Sequence, residues 1–394
     1  MRRSLLLLTL IVLTTACNEP IELADWRIDV PEGTPVREAA PVPLEERSPD
    51  LVRLVDDLVI GGAGSVDGAL LFHPIGIVAD ADGRMFVADY GSHKVVSFDA
   101  DGGYLASFGG EGQGPAEFGS IRGIAIAGEH IAVEDAGNNR LSVWTVGGVH
   151  VRDYPLESRR TLLQMEGIGD DGFVSTFIHN DSKGERRLVA AEYAFDGELR
   201  RRFFDIPMPP PLVIREGGGI TYSTDDLVDA MIGNLDNPRI IEATADDVVY
   251  LSPAHEYQVV AEAPEGGMRW ALRVAWPRPP RSLSERQRDV DNAVRVGDGP
   301  ASVDDFDFPP ADALEFLRTD GSGRLYVFPT MPTEDNAPPQ TRMVDVYQTN
   351  GELLAAGLVD HIWSFARGDY VYGLRTNADG EQVAVRYRLT VNKR

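Results

Sequence analysis

The 394-residue chain holds a single cysteine, Cys17, so no intramolecular disulfide is possible and the fold must stand on packed apolar side chains. No run of 20 apolar residues occurs, so no segment is built to span a bilayer as a helix. Positive charge is scarce: 37 Lys and Arg stand against 62 Asp and Glu, a formal net charge of −25. That deficit argues against nucleic-acid binding, which depends on cations neutralising phosphates, and favours a self-repelling, soluble surface. Also missing are a G-x-S-x-G elbow, a Walker loop, a C-x-x-C pair and a dinucleotide fingerprint. The seven histidines include no H-x-x-x-H pair. The 40 Gly and 26 Pro follow no strict period, which excludes collagen, and a 43% hydrophobic content excludes a wholly disordered chain.

What is present begins at the N-terminus. Arg2 and Arg3 precede the apolar stretch Leu5–Leu13, and the small residues Thr14, Thr15 and Ala16 lead into Cys17. This is the pattern of an export signal over residues 1–16. The Ala16-Cys17 junction resembles a bacterial lipobox, although Thr14 stands where Leu is usual. The resemblance implies cleavage before Cys17, its acylation by more than one chain, and firm membrane anchoring; Asn18, where Asp would retain, implies the outer membrane. The competing reading is an ordinary cleaved signal beside an incidental cysteine, though a lone exported thiol is a liability. Residues 17–50, rich in Pro, Glu and Ala, read as a lipid-anchored tether, with Leu23–Val30 open to being ordered against the domain.

Internal repetition is the main signal. Gly76–Phe98 and Gly123–Trp144 align with Asp89 and Asp135 46 residues apart, as are Lys94 and Arg140. The first unit holds three alternating runs, Gly76–Ala79, Met85–Ala88 and Lys94–Phe98, separated by Asp/Gly turns, and Tyr104–Phe108 supplies a fourth. Four short antiparallel strands per unit are the pattern of a propeller blade. Weaker units follow over Leu163–Ile206, Arg239–Trp276 and Leu314–Val359, and a last one has only three strands, Ile362–Ala366, Tyr370–Leu374 and Val383–Thr390. Leu54–Ile60 matches an outer fourth strand and is expected to pair with that last blade, closing the ring and leaving no orphan edge. The expectation is therefore an all-β, six-bladed β-propeller over residues 51–394, with inserts at 207–237 and 277–312. Ser282–Val294 reads as a helix started by Ser282 or Ser284.

Val133-Glu-Asp-Ala-Gly-Asn-Asn-Arg-Leu141 and Val87-Ala-Asp-Tyr-Gly-Ser-His-Lys-Val95 resemble NHL repeats, and the whole chain resembles six-bladed propeller lipoproteins of bacterial envelopes. In the first copy Ser92 and Lys94 replace the usual Asn and Arg. Asp at a strand end can accept backbone N–H groups of a turn, with the basic residue five positions on placed to pair with it. Asp89/Lys94 and Asp135/Arg140 are thus read as structural blade staples.

In a propeller the innermost strands line an axial channel. The residue before the first-strand glycine should face its mouth, which selects Ile75, Arg122, Gln164, Arg239, Glu315 and His361. The polar members could hold an anionic or sugar-like ligand; equally, Arg122 or Arg239 could pair with Glu315 and plug a wet channel. The sequence is also similar to propeller amidating lyases, whose zinc-binding His would precede the glycine, but Ile75 and Arg122 stand there and His73 lies two positions early. Lactonase-type propellers place Glu, Asn and Asp on axial calcium, yet Asn180, Asn234 and Asn237 fall at no equivalent blade position. Asp80-x-Asp82-Gly83 and Asp99-x-Asp101-Gly102 lack the later ligands of a calcium loop and read as hairpin turns. These readings lead to a monomeric, non-catalytic binding propeller without cofactor or nucleic-acid partner, lipid-anchored in the envelope and facing the periplasm or the cell surface. Its partner is expected to be an envelope protein, peptide or saccharide. The alternative is a metal-dependent lactone hydrolase or peptidyl-glycine lyase with one calcium or zinc in the channel.

Overall fold

Runs that alternate in sequence become strands buried on both faces, because each blade is sandwiched between two others. Met85, Phe86, Val87 and Ala88 are all at most 1% exposed. The computed structural model describes residues 28–62, 69–156, 160–208, 240–245, 248–263, 266–294, 300–331 and 341–393. Two strands precede the blades, β1 (Val36–Ala39) and β2 (Val52–Ile60). The first blade is β3 (Pro74–Ala79), β4 (Met85–Asp89), β5 (Lys94–Phe98) and β6 (Tyr104–Gly109); the second is β7 (Ile121–Ala127), β8 (His130–Asp135), β9 (Arg140–Thr145) and β10 (His150–Pro155). The third comprises β11 (Arg160–Ile168), β12 (Gly172–Asn180), β13 (Arg186–Ala194) and β14 (Leu199–Pro207). In the fourth stand β15 (Ile240–Ala245), β16 (Val248–Pro253), β17 (Gln258–Glu262) and β18 (Met268–Val274). The fifth holds β19 (Leu314–Thr319), β20 (Leu325–Pro329), β21 (Arg342–Tyr347) and β22 (Leu353–Val359). Finally β23 (Phe365–Arg367), β24 (Tyr370–Thr376) and β25 (Gln382–Val391) take β2 as their outer strand.

The fold is thus an all-β propeller of six four-stranded antiparallel blades. Its innermost strands touch in the cyclic order β3, β7, β11, β15, β19, β23 and back to β3. Closure falls where the sequence placed it: β2 runs antiparallel to β25 from Val52↔Val391 to Ile60↔Ala384. Aromatic side chains pack between the fifth and sixth blades, where Trp363 stands edge-on to Tyr326 at 4.9 Å and its indole N–H reaches the carbonyl of Thr319 at 2.8 Å. That turn of Trp363 into the interior delays the last inner strand to Phe365, three residues later than the sequence suggested.

One other expectation meets the structure differently. Residues 28–50, read as part of a tether, are laid along the outer rim. Strand β1 adds in parallel to the outer edge of β18, with Val36 opposite Ala271. The buried amide of Gln258 grips Ile28 at both ends, accepting from its N–H and donating to its carbonyl at 2.9 Å each. An open strand edge offers unpaired N–H and C=O groups to any extended segment, so β1 needs no buried side chain; all four of its residues are exposed. Cys17, Arg239 and insert 207–237 beyond Met208 lie outside the described residues. The second insert forms helix α1 (Leu283–Val294). Ser282 caps it reciprocally: its Oγ accepts from the N–H of Glu285 at 3.2 Å while its own N–H donates to Glu285 Oε2 at 2.9 Å. No helix among the described residues is long and apolar enough to cross a membrane.

Candidate functional site

The repeated polar residues resolve into local geometry. Asp135, fully buried, accepts from the N–H groups of Gly119 and Ser120 at 2.9 and 3.0 Å, from Asn138 Nδ2 at 2.6 Å and from Arg140 Nε at 3.1 Å. Arg140 continues to Asp153 at 3.1 Å and to the carbonyls of Gly114 and Glu117 at 2.8 and 2.5 Å. The unit ties the end of β8 to the loop entering β7. Asp89 does half of this, accepting from Phe72 N–H at 3.1 Å and His73 N–H at 2.6 Å. Lys94 sits opposite it in register, yet is exposed and forms no ion pair among the described residues. The expected Asp89/Lys94 pair is therefore corrected: an ammonium lacks the planar fork that lets Arg140 reach four acceptors at once. Asp80 and Asp99 form hairpin turns, each accepting from two backbone N–H groups of its own loop at 2.7–3.0 Å.

The first-strand glycines owe their place to the crowded axis. A Cβ on Gly76 would come within 2.8 Å of Ile124 on the next inner strand, and one on Gly123 would collide with Leu162. Just before these glycines each inner strand bulges, between Pro74 and Gly76 in β3 and between Ile121 and Gly123 in β7. The same shift occurs between Leu162 and Gln164 in β11 and between Leu314 and Phe316 in β19. A bulge re-aims one side chain, so the equivalent tier is Ile75, Arg122, Leu163 and Glu315. Gln164 is one position late.

Two cavities occupy the axis and share Glu166, Gly167, Arg318 and Ser364, so they meet at mid-channel. One opens between Ile75, Arg122, Leu163 and Gln164; the other opens among Gly169, Thr319, Gly321, Arg367 and Gly368. Of the residues expected at the mouth, Ile75, Arg122 and Gln164 are brought together. Glu315 is turned to Arg342 at 2.8 Å, and His361 lies before β23 against the Tyr387 ring at 5.9 Å; neither lines the channel. Glu315 is thus engaged by its own blade, and a plug between Arg122 and Glu315 is not formed.

Sequence reasoning missed the channel floor. Glu166 Oε2 accepts from Thr244 N–H at 2.7 Å and lies 3.1 Å from Thr244 Oγ1, while Oε1 accepts from Gln164 Nε2 at 2.6 Å. Arg318 donates to the carbonyls of Trp363 and Leu317 at 2.6 and 2.7 Å. The available signal was the spacing Gln164-x-Glu166, two polar residues on one face of an inner strand. Burial pushes the Glu166 carboxyl above its ordinary value, against the opposing pull of the Arg318 charge and the hydrogen bonds from Thr244 and Gln164. A carboxyl raised in the folded state stabilises fully below its unfolded value of 4.5 and loses that contribution as pH rises through the native value. Denaturant titrations of wild type and Glu166→Gln between acid and neutral pH should show wild type losing stability relative to the variant as pH rises. The reverse slope would mean that the Arg318 charge and the hydrogen bonds outweigh desolvation. Among the described residues no group of three or more His, Cys, Asp or Glu side chains is placed to hold a metal ion.

A family model described as a 6-bladed beta-propeller matches residues 68–157. The RING finger protein nhl-1 of Caenorhabditis elegans is 37% identical over 77 residues, covering 20% of this chain and 8% of that protein. The chain thus spans less than a tenth of the length of that curated relative. A member of the DUF4221 family from Bacteroides vulgatus superposes with a TM-score of 0.50 at 12% identity, over 86% of this chain and 99% of that one. Virginiamycin B lyase from Staphylococcus aureus gives 0.42 at 9% identity, over 86% and 100% of the two chains. The family model and the Bacteroides vulgatus structure speak to the fold.

Proposed function

We propose that this propeller is a non-catalytic binding protein of the bacterial cell envelope, held to the membrane by a lipidated Cys17, with its ligand seated at the Arg122 mouth of the axial channel. The observation that carries the reading is the contrast between mouth and floor. On the floor the polar groups are engaged by the protein itself: Thr244 and Gln164 hold both oxygens of Glu166. At the mouth Arg122 is exposed, rests over the Tyr90 ring at 5.2 Å, and has no carboxylate partner among the described residues. An exposed cation on a chain of net charge −25 has many carboxylates to choose from, so an unpaired guanidinium held in place on an aromatic ring is arranged for something outside the chain. An interface centred on Arg and aromatic side chains is where binding energy concentrates.

The test is a photo-crosslinking amino acid placed at Leu163 on the mouth or at Val149 on the outer rim, in cells of the producing bacterium. Leu163 should yield a discrete adduct that Arg122→Glu abolishes, and Val149 should not. Equal adducts from both positions, or none from Leu163, would overturn the binding reading. In the same cells Cys17→Ser should move the protein from the membrane fraction to the soluble one; retention in the membrane would overturn the anchor.

A further inference from the structure

The mouth has a chemistry narrower than a general binding surface, and the ligand class it selects rests on the binding role proposed above. Ile75, Ile124, Leu162 and Leu163 give it apolar side walls above the polar floor of Gln164, Glu166, Arg318 and Ser364. On the loop that enters β3, Leu70 and Phe72 are 42% and 65% exposed. Phe72 adjoins His73, whose ring stands edge-on to Tyr90 at 5.4 Å. Of the two arginines lining the cavity among the described residues, Arg318 donates to backbone carbonyls on the floor, while Arg122 is exposed at the mouth and stands over Tyr90. We infer that the mouth takes the free C-terminal carboxylate of a peptide that ends in an apolar residue, with the carboxylate on Arg122 and the last side chain in the cavity above Gln164 and Glu166.

Three features favour this occupant. A guanidinium matches a carboxylate bidentately, and with Arg318 held by the carbonyls of Trp363 and Leu317, the one exposed guanidinium among the described residues of the cavity lining suits one negative charge better than a phosphate dianion. The Tyr90 ring beside Arg122 offers a sugar no open face, being met by Arg122, by the edge-on ring of His73 and by His93 stacked at 6.1 Å, and the exposed Phe72 ring comes without the polar side chains a sugar's hydroxyls would need on its neighbours Leu70 and Leu71. An acidic peptide with several carboxylates would be repelled by the −25 chain, so the carboxylate should be the ligand's one local charge, next to an apolar group that shields it.

The experiment is calorimetric titration of the full mature chain in detergent with acetyl-Ala-Ala-Leu as the free acid, as its C-terminal amide, and with acetyl-Ala-Ala-Ala acid. The leucine acid should bind, with the amide and the alanine acid each at least about tenfold weaker, a loss of about 1.4 kcal/mol. Arg122→Gln should lower the acid to the level of the amide without changing the amide, and Arg122→Lys should restore part of the difference. Thermal unfolding of the Arg122 variants should match wild type, since Arg122 is exposed and forms no ion pair among the described residues. Equal binding of acid and amide, an unchanged affinity in Arg122→Gln, or no binding of the acid at millimolar concentration would overturn the inference. If the acid fails while the Leu163 adduct persists, the ligand class falls and the binding reading stands; if both fail, both fall.

Discussion

Replacing Arg47 by Met should lower the free energy of unfolding by about 3–5 kcal/mol, because it leaves a buried carboxylate without its counter-charge. The Arg47 side chain is 0% and that of Asp345 3% exposed, with 2.7 Å between Nη1 and Oδ1. Arg47 Nε also donates to the carbonyl of Val42 at 3.2 Å, so the same side chain folds its own segment and locks it to the fifth blade. Asp345 Oδ2 accepts from the Tyr257 hydroxyl at 2.8 Å, and Tyr257 and Tyr347 share a hydrogen bond of 2.8 Å. Burial already pushes the Asp345 carboxyl up, with Arg47 the main opposing influence. Without Arg47 only the Tyr257 hydrogen bond opposes that push, so the variant carries its carboxyl neutral to higher pH than wild type does. A raised carboxyl loses its stabilising contribution as pH rises; the deficit of Arg47→Met should therefore be small near pH 4 and largest above neutrality. Urea denaturation at several pH values reads this directly. The double variant Arg47→Met, Asp345→Asn should recover much of the loss, since no charge then remains buried. Wild-type stability in Arg47→Met at pH 8 would mean that the rim segment is held by β1 and Gln258 alone.

Arg140→Ala and Lys94→Ala, one repeat apart at the same position, should give unlike results. The first leaves the buried Asp135 and two carbonyls without their largely buried guanidinium partner and should cost about 3 kcal/mol. The second removes an exposed ammonium that forms no ion pair among the described residues and should stay within about 0.5 kcal/mol of wild type. Equilibrium unfolding midpoints of the two variants at one pH suffice to compare them. A matched loss in both would mean that Lys94 reaches Asp89 in solution. Arg140→Lys should fall near the alanine variant, because a point charge can satisfy Asp135 or the carbonyls of Gly114 and Glu117 but not both.

The blades were legible because inner and middle strands must be apolar on both faces and each turn between them needs Asp or Gly. The closing strand was legible for the same reason, since Leu54–Ile60 repeats the position of Tyr104–Phe108. What stayed hidden depends on backbone and register. Strand β1 is held by main-chain pairing and exposes all its side chains, so no periodicity marks it. The mouth tier was misread by one residue in the third blade because a bulge inserts a residue that only the ladder reveals. Glu166 was missed because its partners Thr244 and Arg318 come from two other blades, 78 residues away and further.

Ring closure joins segments far apart in time as well as in sequence. Asp56 and Asp57 on β2 meet Arg375 on β24 and Arg386 on β25 across 319 and 329 residues, so a strand synthesised near the start waits for the last two. Throughout that interval β2 is an unpaired edge, the kind that recruits neighbouring chains. The two adjacent carboxylates at its centre make that edge a poor template while it waits, and become ion pairs of 2.5 and 2.6 Å when the ring shuts. The same pair of aspartates thus guards the nascent chain and then latches the finished one.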